Sequence, residues 1–305
     1  MSHHHHHHHD HTTGNIKVAF FLNFTFTIIE IIGGIMTNSM AILSDALHDL
    51  GDSLSLGLAW FLQNFSKKGK TKNFSFGYKR FSLLAALINS IVLIVGSVFI
   101  LTEAIPRLLN PAQPDPGGMI ILAILGIIVN GAAVFRLRGG ESMNSKVMTW
   151  HLLEDVLGWA AVLLVSIIMF FADLPILDPI ASIGITIFIL YNVVKNLTQT
   201  MRLFLEGVPE NINYHDIIDK MNQLSNVEST HHTHLWSLDG EHHAFSTHIV
   251  VPKDATKDQV CTIKEEVKEI IEPIHLDHIT IEIEYEDERC SVKENDDEEG
   301  EVQHG

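Results

Sequence analysis

Between residues 15 and 205 the chain is a series of long apolar runs separated by short polar breaks. Six runs stand out, at about 15–36, 39–64, 81–105, 117–137, 147–171 and 178–203. Each is close to or above the ~20 residues that a helix needs to cross ~30 Å of hydrocarbon. Six such runs exceed what the core of one soluble domain can absorb, so the pattern predicts six transmembrane helices. The first run is too long for a cleaved signal peptide and has no small-residue cleavage site. Beyond residue 208 the period changes. "NYHDIIDKMNQL" has the spacing of a short amphipathic helix. "HTHLWSL" and "HHAFSTHIVV" alternate like strands on either side of Asp239–Gly240, a strong hairpin signal. "TKDQVCTIKEEVKEII" reads as a helix opened by a capping box of Thr256 and Gln259, and "HITIEIEY" closes as a strand. The order αββαβ predicts a small α+β sandwich.

The polar breaks give an orientation. "SKKGKTKNFSFGYKR", between the second and third runs, carries Lys67, Lys68, Lys70, Lys72, Lys79 and Arg80. "RLRGGESMNSK", between the fourth and fifth, adds Arg136, Arg138 and Lys146. "TNS", "NPAQPDPGG" and "ADLPILD" hold neither lysine nor arginine. The positive-inside rule then places both termini in the cytoplasm, in keeping with an even number of spans. Four segments follow: a histidine-rich tail over 1–14, a transmembrane domain over 15–205, a cytoplasmic domain over 208–290 and an acidic tail over 291–305. The last reads as disordered and solvating.

Composition adds exclusions. The net charge of −17 sits largely in the second half and its end, "ENDDEEGE". Nucleic-acid binding needs clustered lysine and arginine to displace counterions, so no nucleic-acid partner is expected. The two cysteines, Cys261 and Cys290, make no disulfide framework and suit a reducing compartment.

Against this apolar background, "SDALHDLGDS" (44–53) and "TWHLLEDVLGW" (149–159) are out of place. His48 and Asp52 are four apart, as are His151 and Asp155, so each pair shares one helix face. An ionisable group at that depth costs at least ~2.5–3.5 kcal/mol unless it meets a partner or a polar cavity. Bringing the two faces together gives two imidazoles and two carboxylates, a tetrahedral N/O set suited to zinc. Calcium or magnesium would want more oxygens and no imidazole. The competing reading is two intrahelical His–Asp pairs that satisfy each other. Asp45, three residues before His48, is placed to accept a hydrogen bond that orients it. Asp49 and Glu154 point about 100° away from the neighbouring ligand and read as lining a hydrated path or holding helix contacts. Glu30 and Asn23 face the same polar interior or bond between helices.

With these residues in place, the sequence resembles the cation diffusion facilitators, specifically the zinc transporters of the His–Asp/His–Asp type. The resemblance covers about residues 15–290. It is carried by "GGIMTNSMAILSDALHDLGD", "FSFGYKR", "HLLED", "DPIASIGI" and "FLEGVP". It implies a six-helix transport domain and a cytoplasmic ferredoxin-like domain. It further implies homodimerisation and export of divalent metal in exchange for protons, and it puts the transport site on His48, Asp52, His151 and Asp155. Two departures stand out. Phe81 and Ser82 follow "FGYKR" where relatives carry a small residue and then an acid, and the loop before the fifth span has no histidine. A metal site in the loop after the second span is not expected, because "SKKGKTKNFS" offers no His, Asp, Glu or Cys.

The cytoplasmic domain is dense in histidine: His231, His232, His234, His242, His243, His248, His275 and His278. The resemblance puts a regulatory zinc site near His231, His248 and His278; Glu284 and Cys290 are further candidate ligands. The opening "MSHHHHHHHDH" is either a purification tag or a native metal-holding tail. The expected function is export of Zn2+ from the cytoplasm, with Zn2+ as substrate and regulatory ligand. The expected partners are divalent metals, protons, the lipid bilayer and a second copy of the chain, and analogy suggests a bacterial inner membrane. The alternatives are an exporter mainly of cadmium, cobalt or iron, a non-transporting metal sensor, and an intramembrane zinc hydrolase. The hydrolase would keep three ligands and an open position, and no H-E-x-x-H motif is present.

Overall fold

The computed structural model describes residues 10–66, 70–137, 143–288 and 290, with side chains placed over 20–58, 61, 70–135, 152–288 and 290. Expectations that fall on residues 1–9 and 291–305, and on the His151 side chain, lie outside the described residues.

Six long helices come first: α1 (Asp10–Thr37), α2 (Met40–Ser66), α3 (Phe81–Leu109), α4 (Pro116–Leu137), α5 (Met143–Ala172) and α6 (Leu177–Phe204). Five contain segments long and apolar enough to cross a membrane: Phe20–Thr37, Phe81–Leu109, Pro116–Phe135, Leu152–Ala172 and Leu177–Phe204. The sixth, α2, is long enough at 27 residues. It differs in carrying Asp45, Asp49 and Asp52 along one helix. The chain divides into two compact units. One is the chain up to Gly69 with Leu84–Thr198; the other is Lys70–Leu83 with the chain from Gln199 onward.

The transmembrane unit is polar inside and apolar outside. On α3, Ser90, Leu93, Ser97 and Ala104 are buried, with Ser97 at 0% exposure; Ile91, Val95 and Phe99 are exposed, Phe99 at 63%. A water-soluble helix would show the reverse. Lipid gives no hydrophobic reward for burying leucine, so small and hydroxylated residues take the helix contacts. Gly126 on α4 shows the closeness this permits: the Trp159 indole lies where a β-carbon would stand, and Trp159 is buried.

The α1–α2 junction positions the charged helix. Asn38 takes a left-handed conformation (φ 53°). The Asn38 N–H reaches Ile35 O at 3.2 Å and the Ser39 N–H reaches Gly34 O at 3.0 Å, closing α1 with a Schellman motif. Ser39 then caps α2 by accepting from the Ile42 N–H at 3.2 Å. Asp178, near the start of α6, completes the cap. It accepts from Ser39 Oγ (2.6 Å), Met40 N–H (2.8 Å) and Ala41 N–H (3.2 Å). A buried carboxylate on a helix N-terminus answers both the unmet N–H groups and the positive end of the dipole.

The second unit contains α7 (Tyr214–Asn222), β1 (Ser229–Ser237), β2 (His243–Val251), α8 (Lys257–Ile271) and β3 (Leu276–Tyr285). This is the expected αββαβ order. The sheet runs β1-β2-β3, with β1 antiparallel and β3 parallel to β2. One face carries Leu235, Phe245, Ile249 and Val251 against Ile217 and Met221 of α7 and Ile263, Val267 and Ile271 of α8. Gly240 turns the β1–β2 hairpin at φ 99°, and Thr256 with Gln259 forms the expected capping box.

A bulge sets which residues of β1 face the core. His231 pairs with His248 and Leu235 with Phe245, so β1 uses four steps where β2 uses three. The irregularity falls between His231 and His234, where His232 takes φ 47°. Strict alternation would put His231 and Leu235 on the same face. The extra residue turns His231 to the helix-free face while Leu235 stays in the core.

Candidate metal sites

The transmembrane residues come together between α2 and α5. His48 Nε2 lies 3.7 Å from Asp52 Oδ2, one turn along α2, and 3.7 Å from Asp155 Oδ1 on α5. The imidazole therefore stands between carboxylates of two helices rather than in a private intrahelical pair. His151 lies one turn before Asp155 on α5. Asp45 is buried, with its Oδ1 close to where a β-carbon on Gly158 of α5 would stand. Asp49 is also buried, and Glu154 is exposed on the helix surface. Asn23 bonds between helices, donating to Asp49 O and to Ser53 Oγ, both at 3.0 Å. Glu30 on α1, 1% exposed, has Asp49, Asp45 and Asp155 as electrostatic neighbours. The interior thus gathers Glu30, Asp45, Asp49, Asp52 and Asp155 around the His48 imidazole.

The second group lies on the helix-free face of the small sheet. Glu284 on β3 bridges two histidines: Oε1 lies 2.7 Å from His248 Nδ1 and Oε2 lies 3.2 Å from His231 Nε2. His248 Nε2 is 3.5 Å from Glu282 Oε2. Burial pushes the Glu284 carboxyl up. Hydrogen bonds from His248 and Cys290 and the charges of His231 and His248 outweigh it and hold the group below its ordinary value. The donor atoms of His231, His248, Glu284 and Cys290 all lie within 4.8 Å of one another. This N, N, O, S set fits a tetrahedral zinc ion.

The structure does not bring His278 to this group. His278 pairs with Ala244 near the other end of the strands. Its ring stands edge-on to Phe76, with centroids 5.5 Å apart, and its Nε2 is 3.1 Å from Thr280 Oγ1. Glu284 is six residues further along β3, and that distance separates the two. His232 stands beside the group without supplying a donor to it: its ring centroid is 5.7 Å from His231 and 5.5 Å from His248. The positive φ of His232 causes this, and no alternation rule foretells it. Asp178 and its cap on α2 were also not legible as a contact, with 137 to 139 residues between the partners.

Comparison with known proteins gives both units a family. Residues 16–205 match the cation efflux transmembrane domain family, and residues 209–286 match the cation efflux protein cytoplasmic domain family. The chain is 35% identical over 288 residues to a cadmium, cobalt and zinc/H(+)-K(+) antiporter of Bacillus subtilis, covering 91% of this chain and 92% of that protein. It is 32% identical to the metal cation efflux system protein CzcD of Cupriavidus metallidurans, over 90% of this chain and 88% of that one. It is 30% identical to the zinc transporter ZitB of Pectobacterium atrosepticum, over 95% and 92%. Both domains match, in the family's order and over almost the whole folded length. The chain belongs to the cation diffusion facilitators, integral membrane transporters for metal-cation efflux rather than enzymes.

Proposed function

We propose that this protein exports zinc from the cytoplasm in exchange for protons, through a four-ligand site made of His48, Asp52, His151 and Asp155. The observation that carries this reading is the position of His48 Nε2, 3.7 Å from carboxylates on two different helices. The relatives named for zinc, cadmium and cobalt support the substrate class. Zinc requires a neutral imidazole and ionised carboxylates, so its binding competes with protons at the same atoms. A proton gradient can therefore drive metal release. Asp45 orients His48, and Glu30 and Asp49 keep the approach polar. His231, His248 and Glu284 hold a regulatory zinc ion, and the protein works as a homodimer in a bacterial inner membrane with both termini cytoplasmic. Ligand binding to the domain shifts the population of the transport-competent arrangement.

Zinc uptake by proteoliposomes under an imposed pH gradient tests this. Uptake should follow the gradient and disappear in Asp52→Ala and Asp155→Ala proteins that still insert. Gradient-independent uptake would remove the antiport, and near-normal uptake by either variant would remove the site.

A further inference from the structure

We propose that the seam between α1 and α2 is a second cation site, made of oxygen donors alone and suited to an alkali-metal ion. It lies on a different face of α2 from His48 and Asp52, and it does not rest on the zinc-export reading.

Two short polar rows build the seam. Asn23, Thr27 and Glu30 share one face of α1, and Asp49 and Ser53 share one face of α2. Asp49 directly follows His48, so it points about 100° away from the imidazole that meets α5. The rows pair across the two helices. Asn23 Nδ2 donates to Asp49 O and to Ser53 Oγ, both at 3.0 Å. Thr27 Oγ1 stands 3.5 Å from Ser53 Oγ and donates to Asn23 O at 2.9 Å. The Glu30 and Asp49 carboxyl groups lie within hydrogen-bonding reach of each other. Thr27, Glu30, Asp49 and Ser53 are all buried, Glu30 at 1% exposure.

The Glu30 rung is incomplete. Carboxylates only accept, and neither Glu30 oxygen meets a hydrogen-bond donor. Two buried carboxyl groups keep such a contact only around a positive charge, either a proton or a metal ion. The surroundings favour the metal ion. One turn away on each helix, Thr27 and Ser53 add hydroxyl oxygens, which can complete a coordination shell and which a shared proton does not need. Every donor is oxygen, with no imidazole and no sulfur, so the set prefers a hard ion to zinc. Charge then selects among hard ions. An alkali ion replaces one shared proton without changing the buried charge, whereas a divalent ion adds a charge to it. Mg2+ also demands a near-ideal octahedron, and Ca2+ takes ~6–8 oxygens.

The test uses the full chain in nanodiscs of uncharged lipid, free of zinc, with radioactive rubidium and sodium ions as probes. The parent should bind at least one of the two saturably, and competition by unlabelled potassium and sodium identifies the preferred ion. Glu30→Gln should weaken this binding by ~10–100-fold, the scale of a lost metal-site contact. Ser53→Ala, a smaller change, should weaken it by less and decides the matter if Glu30→Gln does not insert. Asp155→Ala should retain it, because that residue belongs to the other face. The absence of saturable binding of either ion by the parent would overturn the proposal and leave a shared proton in the seam. Unchanged affinity in the inserted Glu30→Gln protein, or in Ser53→Ala where Glu30→Gln does not insert, would place the ion elsewhere. Loss of binding in Asp155→Ala would put it at the transport residues instead. Displacement by calcium at lower concentration than by sodium or potassium would overturn the alkali assignment.

Discussion

The two metal-binding groups are built in opposite ways. In the membrane unit, His48 and Asp52 sit one turn apart on α2, and Asp155 comes from α5 to the same imidazole. Straight helices and their 3.6-residue period suffice. In the cytoplasmic domain, each donor comes from a different strand or from the reversal after β3: His231 from β1, His248 from β2, Glu284 from β3 and Cys290 beyond it. Assembling them takes a bulge, a parallel pairing and a turn. The first group exists as soon as two helices touch; the second requires the whole sheet. The surroundings differ as well. The membrane group is crowded with carboxylates, while in the cytoplasmic group a single buried carboxylate, Glu284, bridges two histidines.

The largest effect that can break this contrast is loss of a membrane ligand. Asp155→Ala should reduce zinc transport by ~100-fold or more, at the upper end of what removing a metal-site contact costs. The same variant should leave zinc binding at the cytoplasmic site unchanged, measured by dialysis on the same preparation. If transport and cytoplasmic binding fall together, the two groups are not separate sites.

Next in size is a change of ion preference. His48→Asp replaces an imidazole by a carboxylate that can bind through both oxygens, which suits a larger ion. The cadmium-to-zinc uptake ratio should rise ~10-fold on the scale of a metal-ligand change. An unchanged ratio at matched membrane abundance would take His48 out of the ligand shell.

A smaller and purely regulatory effect is expected at Glu284. Glu284→Gln keeps the shape and removes the charge that bridges His231 and His248. Zinc affinity of the cytoplasmic site should fall ~10-fold. The maximal transport rate should hold, with only the zinc concentration for half-maximal uptake rising. Loss of the maximal rate in a correctly inserted protein would show that the domain drives transport rather than tunes it.

The smallest effect concerns the hairpin that fixes the register of β1 and β2. Burial pushes the Asp239 carboxyl up, but the backbone N–H groups of His242 and Glu241 and the His242 ring outweigh it and hold it low. His242 N–H is at 2.8 Å and Glu241 N–H at 3.0 Å. A folded value below the unfolded ~3.9 means that the stabilisation is complete above that pH and is lost as pH falls through the lower folded value. Asp239→Asn should therefore destabilise the cytoplasmic domain near pH 7 by ~1 kcal/mol or less, read as a lower thermal midpoint. The difference from the parent should shrink as pH falls below ~3.9. A difference that persists in acid would assign the effect to shape rather than charge.

The same contrast governs what was legible in the sequence. His48, Asp52 and Asp155 were readable because a helix repeats locally, and an ionisable pair four residues apart in an apolar run must meet a partner, a cavity or an ion. The αββαβ order was readable because Gly240 and Thr256 mark a hairpin and a helix start in the residues themselves. The membership of the cytoplasmic group was not. His278 looked like a ligand because it lies on the right strand, but six residues of extended chain separate it from Glu284. The bulge at His232, where the backbone is left-handed, carries no signal in the strand alternation. Asp178 looked like an ordinary start to α6. Its partners on α2 are far away in the sequence, and no local pattern records them.

The cap that Asp178 places on α2 has a mechanical consequence. Three hydrogen bonds hold the first turn of α2 to α6, so that end of the helix is a fulcrum rather than a free terminus. His48 and Asp52 lie eight and twelve residues along, a lever arm of ~12–18 Å at 1.5 Å per residue. A rotation of ~10° about the fulcrum would carry them ~2–3 Å, about the length of one metal–ligand bond. Such a rotation would gear a small angular motion into the making or breaking of coordination at the proposed site.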